Sequence, residues 1–301
     1  MRPRHILLAV VVIVIWGVNF VVIDVALRDV PPLLLAALRF ALTAVPAIVF
    51  VRRPPIACGW IIAVGIFLGV GNFGLLFLGI HLGMPAGLSS LVLQSQAMFT
   101  MLLGALLLRE RVGRRHVAGT AIATGGLVLV AAGSGGSVPL GPFLLVVAAA
   151  IGWAASNICT RVSGAPAGIG LLVWSSVVPP LPLAALSYLV EGRDAVVGAL
   201  TSFEPRAVLA LAYLVGLSTL VGFGAWNTLL RHYPAGLVAP YSLAVPIVGM
   251  TAAWVWLGER PGLTDLVGAV VVLAGLALVL ERPRSERTVS SSVDHEGVPA
   301  S

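Results

Sequence analysis

The side chains that could do chemistry in this chain are amides, hydroxyls, aromatic rings and one arginine, each set in apolar sequence: Trp16, Asn19, Arg39, Asn72, Ser90, Gln94, Trp153, Asn157, Trp174, Tyr241 and Ser242. Such groups suit binding a small polar molecule. An arginine can hold a carboxylate, amides and hydroxyls can exchange hydrogen bonds with a cargo, and aromatic faces can receive an ammonium group. Each also has a structural reading, as a polar residue joining helices or as an interfacial aromatic. Groups suited to bond cleavage are scattered instead: the five His residues fall at 5, 81, 116, 232 and 295, and every Asp and Glu falls at a helix end or in a loop. No catalytic residue, cofactor or metal site is expected.

The elements that must position these groups are membrane helices. Of 301 residues, 59% are hydrophobic and only 10% charged, and the mean hydropathy is +1.05. Ten apolar stretches, at about 6–23, 33–51, 60–80, 85–108, 116–133, 139–160, 168–190, 206–230, 235–257 and 263–281, each approach the roughly 20 residues that cross a bilayer as a helix. They lack the strict alternation of barrel strands. An all-α integral membrane protein with ten transmembrane helices is therefore expected.

All the basic side chains are arginine, and the net charge of +6 reports topology rather than nucleic-acid binding. With the first residue inside, thirteen arginines lie in cytoplasmic segments and four outside, with Arg39 within a span. That asymmetry predicts both termini in the cytoplasm and an even number of spans. The basic head and apolar body of the first segment resemble a signal peptide, but its loss would leave nine spans, so it is read as a retained helix. Cys58 and Cys159 fall near cytoplasmic ends and are expected to be unpaired.

Residues 85–130 align with 234–279 without a gap, and fourteen of the 46 positions are identical. The matches include Pro-Ala-Gly-Leu at 85 and 234, Glu110-Arg111 with Glu259-Arg260, and Gly113, Gly119 and Gly126 with Gly262, Gly268 and Gly275. Apolar composition does not produce matched Pro, Gly, Glu and Arg at one register. The expected organisation is two inverted five-helix repeats, 1–133 and 134–282, followed by a disordered cytoplasmic tail, 283–301. Five spans per repeat force the second to enter from the opposite side, an arrangement that places a substrate site at the midplane in secondary transporters.

The segments "IWGVNFVVIDVAL", "PPLLLAALRF", "GMPAGLSSLVLQSQAMFT" and "APYSLAVPIVG", with the "RER" and "GER" helix ends, resemble the EamA branch of the drug/metabolite transporter superfamily over nearly the whole chain. "WGVNFVV", "PAGLSSLVLQSQ" and "TLVGFGAW" resemble, within that branch, exporters of O-acetylserine and cysteine. The resemblance implies a multi-pass protein of the bacterial cytoplasmic (inner) membrane that exports a small zwitterionic metabolite of the cysteine pathway by alternating access. An EamA-type carrier of another amino acid, drug or metabolite, or an importer, is the alternative. An acidic residue in an early span, as a cationic drug would need, is absent. The partners expected are the zwitterion and the lipid bilayer, no nucleic acid, with a homodimer left open.

On a helix each residue advances about 100°. Ser90 and Gln94 then share one stripe and Ser89 and Gln96 another, so only one is expected to face a cargo, with Gln94 favoured. The second-half equivalents of the two glutamines are Leu243 and Val245. Arg39 lies about six residues, roughly 9 Å, into its span, shallow enough for its head to reach toward the outer surface. Pro240 and Pro246 should bend the ninth helix and free carbonyls near Tyr241. Glu110 and Glu259, at helix C-termini, read as interfacial anchors offset by adjacent arginines. Asp24 and His81, near the outer surface, are the gating or titrating candidates.

Overall fold

Proline opens several of the helices, at positions where its missing N–H breaks no hydrogen bond, and apolar runs extend them. The computed structural model describes residues 1–110, 112–133, 139–166, 169–202 and 204–280, and among these every regular element is helical. They are α1 (Pro3–Ala26), α2 (Pro32–Ala47), α3 (Cys58–His81), α4 (Ala86–Leu93), α5 (Gln96–Leu108), α6 (Arg114–Gly133) and α7 (Leu140–Val162). There follow α8 (Ile169–Ser175), α9 (Pro180–Val190), α10 (Arg193–Thr201), α11 (Pro205–His232), α12 (Ala235–Val238), α13 (Val245–Leu257) and α14 (Leu263–Leu280).

Eight continuous stretches of helix are long and apolar enough to cross a membrane among the described residues, and α8 with α9, bent by 41°, makes a ninth if counted as one span. The protein is a multi-pass membrane protein. Two of the ten expected stretches therefore differ in form. The second is the 16-residue α2, with Pro46 near its end. The seventh is broken before the paired prolines Pro179 and Pro180, because a proline interrupts the backbone ladder and restrains the residue before it. The connection expected at 191–205 contains the short helix α10, and the tail from 281 onward lies outside the described residues.

Backbone features recur at the 149-residue offset. Within α3, Ile66–Gly74 is π-helical, and within α11 so is Tyr213–Gly222, which overlaps it at that offset without matching at either end. Helices α5 and α13 are both 13 residues long and start 149 positions apart, at Gln96 and Val245. Each ends on a left-handed residue, Arg109 (φ 55°) and Gly258 (φ 71°). The following N–H then returns to the helix, from Glu110 to the Gly104 carbonyl and from Glu259 to the Ala253 carbonyl.

The glycines set how closely helices approach. A Cβ on Gly119 would stand 2.7 Å from the Gly275 carbonyl oxygen, and one on Gly126 3.0 Å from the Gly268 carbonyl oxygen. Thus α6 and α14 cross on four glycines paired reciprocally, Gly119 with Gly275 and Gly126 with Gly268, in the small-residue manner of membrane helices. Gly17 of α1 faces Val248 and Gly249 of α13, and Gly249 in turn faces Ser90 of α4.

Polar links define two ends of the bundle. At the Met1 end, the Arg2 N–H donates to the Tyr233 hydroxyl at 3.0 Å, Trp174 Nε1 donates to the Val51 carbonyl at 3.0 Å, and Arg161 pairs with Glu110. At the opposite end Arg206 pairs with Asp29, the Leu33 N–H donates to Glu191, and Glu259 receives the N–H groups that open α4.

Candidate functional site

A cavity of about 460 Å³ runs between the halves of the chain, within the roughly 300–1,000 Å³ usual for small-molecule sites. At mid-depth it is lined by Trp16, Asn19 and Phe20 of α1, Arg39 of α2, Phe73 of α3, Ser90 of α4 and Ser218 of α11. It extends to Thr160, Leu171, Leu230, Ala239 and Leu280, which lie at the helix ends on the Met1 side. No carboxylate is among its lining residues within the described part of the chain.

Among the described residues Arg39 is the only charged group in the wall, and it is 2% exposed. It turns inward instead of reaching the outer surface, because partners wait for it on α11. Its Nε and Nη2 donate to Thr219 Oγ1 at 3.3 and 3.1 Å, and Nη2 also reaches Ser218 Oγ at 3.4 Å. The guanidinium carbon lies 4.1 Å from the centre of the Phe73 ring, a cation–π contact. Its Nη1 is buried without a protein partner. A buried donor left so costs about 1–3 kcal/mol unless something accepts from it. An arginine stays protonated inside proteins, so a carboxylate is the group that best completes this site.

Asn19, two positions from the Gly17 crossing and one turn from Trp16, presents the complementary chemistry. Its Oδ1 is buried without a protein partner and can accept from an ammonium group. Beside it Trp16 Nε1 donates to the Ser218 carbonyl at 3.1 Å, and the Trp16 ring packs against Phe223 and Trp226 at centroid distances of 5.1 and 5.3 Å. Acceptor and aromatic faces therefore stand in the same wall as the arginine.

Both glutamines line the cavity, contrary to the stripe geometry. The α-helix stops at Leu93 and restarts at Gln96, with Gln94 and Ser95 in a turn. Through that turn the backbone bonds tighten to i→i−3, from Gln94 to Leu91, Ser95 to Val92 and Ala97 to Gln94, so the advance per residue departs from the 100° on which the separation of stripes rests. Gln94 Nε2 donates to the Ser242 carbonyl, which also accepts the Val245 N–H at the end of the 3₁₀ segment 239–244. Gln96 Oε1 accepts from Asn157 Nδ2 at 3.0 Å, and the same Nδ2 reaches Thr100 Oγ1 at 3.2 Å. Ser89, the partner of Gln96 in its stripe, is fully buried and does not line the cavity.

Of the remaining expected residues, Ser90, Trp153, Asn157 and Ser242 line the cavity, while Asn72, Trp174 and Tyr241 do not. Asn72 is fully buried and donates to the Ala149 carbonyl at 3.1 Å, tying α3 to α7 where Gly71 and Gly152 bring the backbones together. Trp174 anchors α8 to the end of α2 through Val51, and Tyr241 packs on the apolar cluster of Ala9, Leu229 and Val238. Asp24 pairs with Arg28 at 2.9 Å and His81 is exposed at the end of α3; neither reaches the cavity. Phe20, Phe73, Ser218, Phe223, Trp226 and Asn227 line it without having been singled out. The signal for the last three was present in "GFGAWN", a polar and aromatic cluster inside an apolar span.

The two Glu-Arg glutamates differ. Glu259 Oε1 and Oε2 accept from the N–H groups of Ala86 and Gly87 at 2.7 and 3.0 Å, capping α4 from the other half of the chain. Glu110 is about half exposed and pairs with Arg161 of α7. Glu259 thus meets the positive N-terminus of α4, and Glu110 meets an arginine of another helix; Arg111 lies outside the described residues.

The chain matches the EamA-like transporter family over residues 3–132 and 140–281. It is 45% identical over 291 residues to a Salmonella typhimurium protein named "Probable amino-acid metabolite efflux pump", covering 95% of this chain and 97% of that one. An Escherichia coli protein of the same name is 42% identical over 275 residues, covering 89% of this chain and 92% of that one. A "Probable terminal-alkyne amino-acid exporter" from Streptantibioticus cattleyicolor is 27% identical over 295 residues, covering 94% and 95%. A solved crystal structure superimposes with a TM-score of 0.60 at 20% identity, covering 92% of this chain and 96% of that one, and carries the same fold. By its sequence over nearly its full length, this multi-pass helical chain belongs to the EamA-like transporter family.

Proposed function

We propose that the protein exports small zwitterionic amino acids across the bacterial inner membrane by alternating access, with cysteine and O-acetylserine as first candidates. The observation that carries this reading is Arg39: a buried cation, with Nη1 unpartnered, in the wall of a cavity that no carboxylate lines among the described residues. The cargo carboxylate binds there. The ammonium group goes to Asn19 Oδ1 and the faces of Trp16 and its neighbours, and Gln94, Gln96, Asn157 and Ser242 meet the side chain. Names of relatives, an amino-acid metabolite efflux pump and an amino-acid exporter, support the substrate class and the direction.

The architecture in this reading is ten membrane crossings in two inverted five-helix repeats with both termini cytoplasmic. The recurrences at the 149-residue offset, the arginine asymmetry and the twofold family match support it. The Met1 end is then cytoplasmic, and the cavity is open toward the cell interior and shut toward the outside.

Transport into inside-out vesicles or proteoliposomes of labelled cysteine, O-acetylserine and larger apolar amino acids tests the substrate class. The expected result is saturable uptake that an amino acid inhibits and its decarboxylated amine does not. Equal inhibition by the amine would remove the carboxylate role of Arg39. A second reading, in which amino acids with larger apolar side chains are the main cargo, draws on the aromatic wall of Trp16, Phe223 and Trp226, and the same competition series ranks them.

A further inference from the structure

We infer that Glu259 and Glu110 are paired latches, each closing one mouth of the cavity in turn by capping the Pro-Ala-Gly start of a helix in the other half. The inference rests on the alternating-access reading above and names the residues that hold its two end states.

Three observations carry it. First, the shut mouth is closed where α4 packs along α13: a Cβ on Gly87 would stand 3.1 Å from Met250 Cα and 3.2 Å from Ala253 Cβ, and Ser90 lies against Gly249. Second, at the tip of that contact Glu259 accepts the first two N–H groups of α4, from Ala86 and Gly87. A carboxylate on two backbone N–H groups at a helix N-terminus is among the stronger hydrogen-bond arrangements a protein has. Third, among the described residues the equivalent elements are not packed in this way at the other mouth. Helix α5 is the counterpart of α13, yet among the described residues it makes no comparable packing with the 239–244 segment. Ala239 and Ser242 of that segment line the cavity, and Glu110, counterpart of Glu259, is turned to Arg161 near the surface.

One sequence motif thus occurs twice, engaged at one mouth and disengaged at the other. When the carrier switches, Glu259 leaves Ala86 and Gly87, α4 parts from α13, and the outer mouth opens. Glu110 leaves Arg161 and caps the Pro234-Ala235-Gly236 start, and α5 closes on that segment. The identity of Pro-Ala-Gly-Leu at both helix starts, with Glu at both helix ends, is then a requirement of the switch as well as of the scaffold.

The test uses the full-length protein in nanodiscs with Cys58→Ser and Cys159→Ser, spin-labelled in pairs at exposed equivalent positions. Leu82→Cys with Leu263→Cys reports the outer mouth, and Arg231→Cys with Arg114→Cys, each 149 positions removed, reports the inner one. Glu259→Ala should move the outer pair to longer and the inner pair to shorter distances, changing the ratio of the two populations about tenfold or more, the weight of one hydrogen bond to a charged group. Glu110→Ala should do the reverse and slow efflux several-fold without changing cargo affinity. Because Glu110 is half exposed, that variant folds even if Glu259→Ala does not. Wild-type protein that samples both distance sets, with neither variant biasing them, overturns the latches and leaves alternating access intact. Wild-type protein that transports while holding one distance set overturns both.

Discussion

At the scale of single residues, the site depends on a cation and an acceptor left without protein partners. Arg39→Ala should raise the KM for amino-acid cargo about tenfold or more, because a hydrogen bond to a charged group is worth about 1.5–3 kcal/mol, while Trp174→Phe, away from the cavity, leaves KM unchanged and lowers the melting temperature. Initial rates in proteoliposomes and thermal unfolding in detergent separate the two. Glu259 adds a pH dependence with a definite sign. Burial raises its carboxyl above the ordinary value, and the N–H groups of Gly87 and Ala86, pulling it down, offset only part of that. A released Glu259 in water would titrate near the ordinary value, about 4.3. The latched form therefore binds a proton more readily, so its share is largest at acid pH and declines as pH rises through the raised value. The charged groups facing it are Asp24 of α1 with its partner Arg28 in the following turn, the adjacent Arg260, and Asp265 at the start of α14; Ala86–Leu93 of α4 contributes none. Acidifying the outer face should shorten the outer spin-label distance in the wild type and leave Glu259→Gln unmoved.

At the scale of elements, helix breaks and helix crossings decide what meets the cavity. The turn at Gln94 and Ser95 and the 3₁₀ segment at 239–244 overlap at equivalent positions of the 149-residue register, and each interrupts the α-helical hydrogen bonding of a stretch that hydropathy reads as continuous. Pro240 and Pro246 announce the second break. Nothing in "SSLVLQSQ" announces the first, which arises where Ser95 Oγ turns back to the Val92 carbonyl at 2.6 Å and Gln94 reaches across to Ser242. Gly119 and Gly126, like Gly268 and Gly275, are seven apart and so share a helix face, a spacing that suits tight packing of the fifth and tenth spans; the structure sets those two faces against each other, α6 on α14. Gly126→Val would drive a side chain toward Val272 Cγ2 and its backbone nitrogen, each 2.7 Å from the added Cβ. Overpacking of that kind costs about 1–3 kcal/mol. A lower melting temperature with an unchanged KM is the expected outcome, and an unchanged melting temperature would mean that the two helices do not cross there.

At the scale of the whole molecule, the cavity reaches one end of the bundle and is shut at the other. In the proposed topology a thiol placed near the open end, Thr160→Cys in a Cys58→Ser and Cys159→Ser background, should react with a membrane-impermeant maleimide from the cytoplasmic face many times faster than from the outside. Equal rates in right-side-out and inside-out vesicles would remove the inward-facing assignment. The amino-acid sequence by itself determined the helical membrane class, the 149-residue register and the family, because hydropathy, proline and glycine signals are local and add along the chain. Tertiary structure alone decided that Arg39 turns to Ser218 and Thr219, that Gln94 and Gln96 share one cavity, that Asn72 and Trp174 serve the scaffold, and that Glu259 caps a helix 173 residues away in sequence. Those outcomes depend on where distant helices break and cross, and in a bilayer an unpaired polar group takes whichever partner that packing brings within reach.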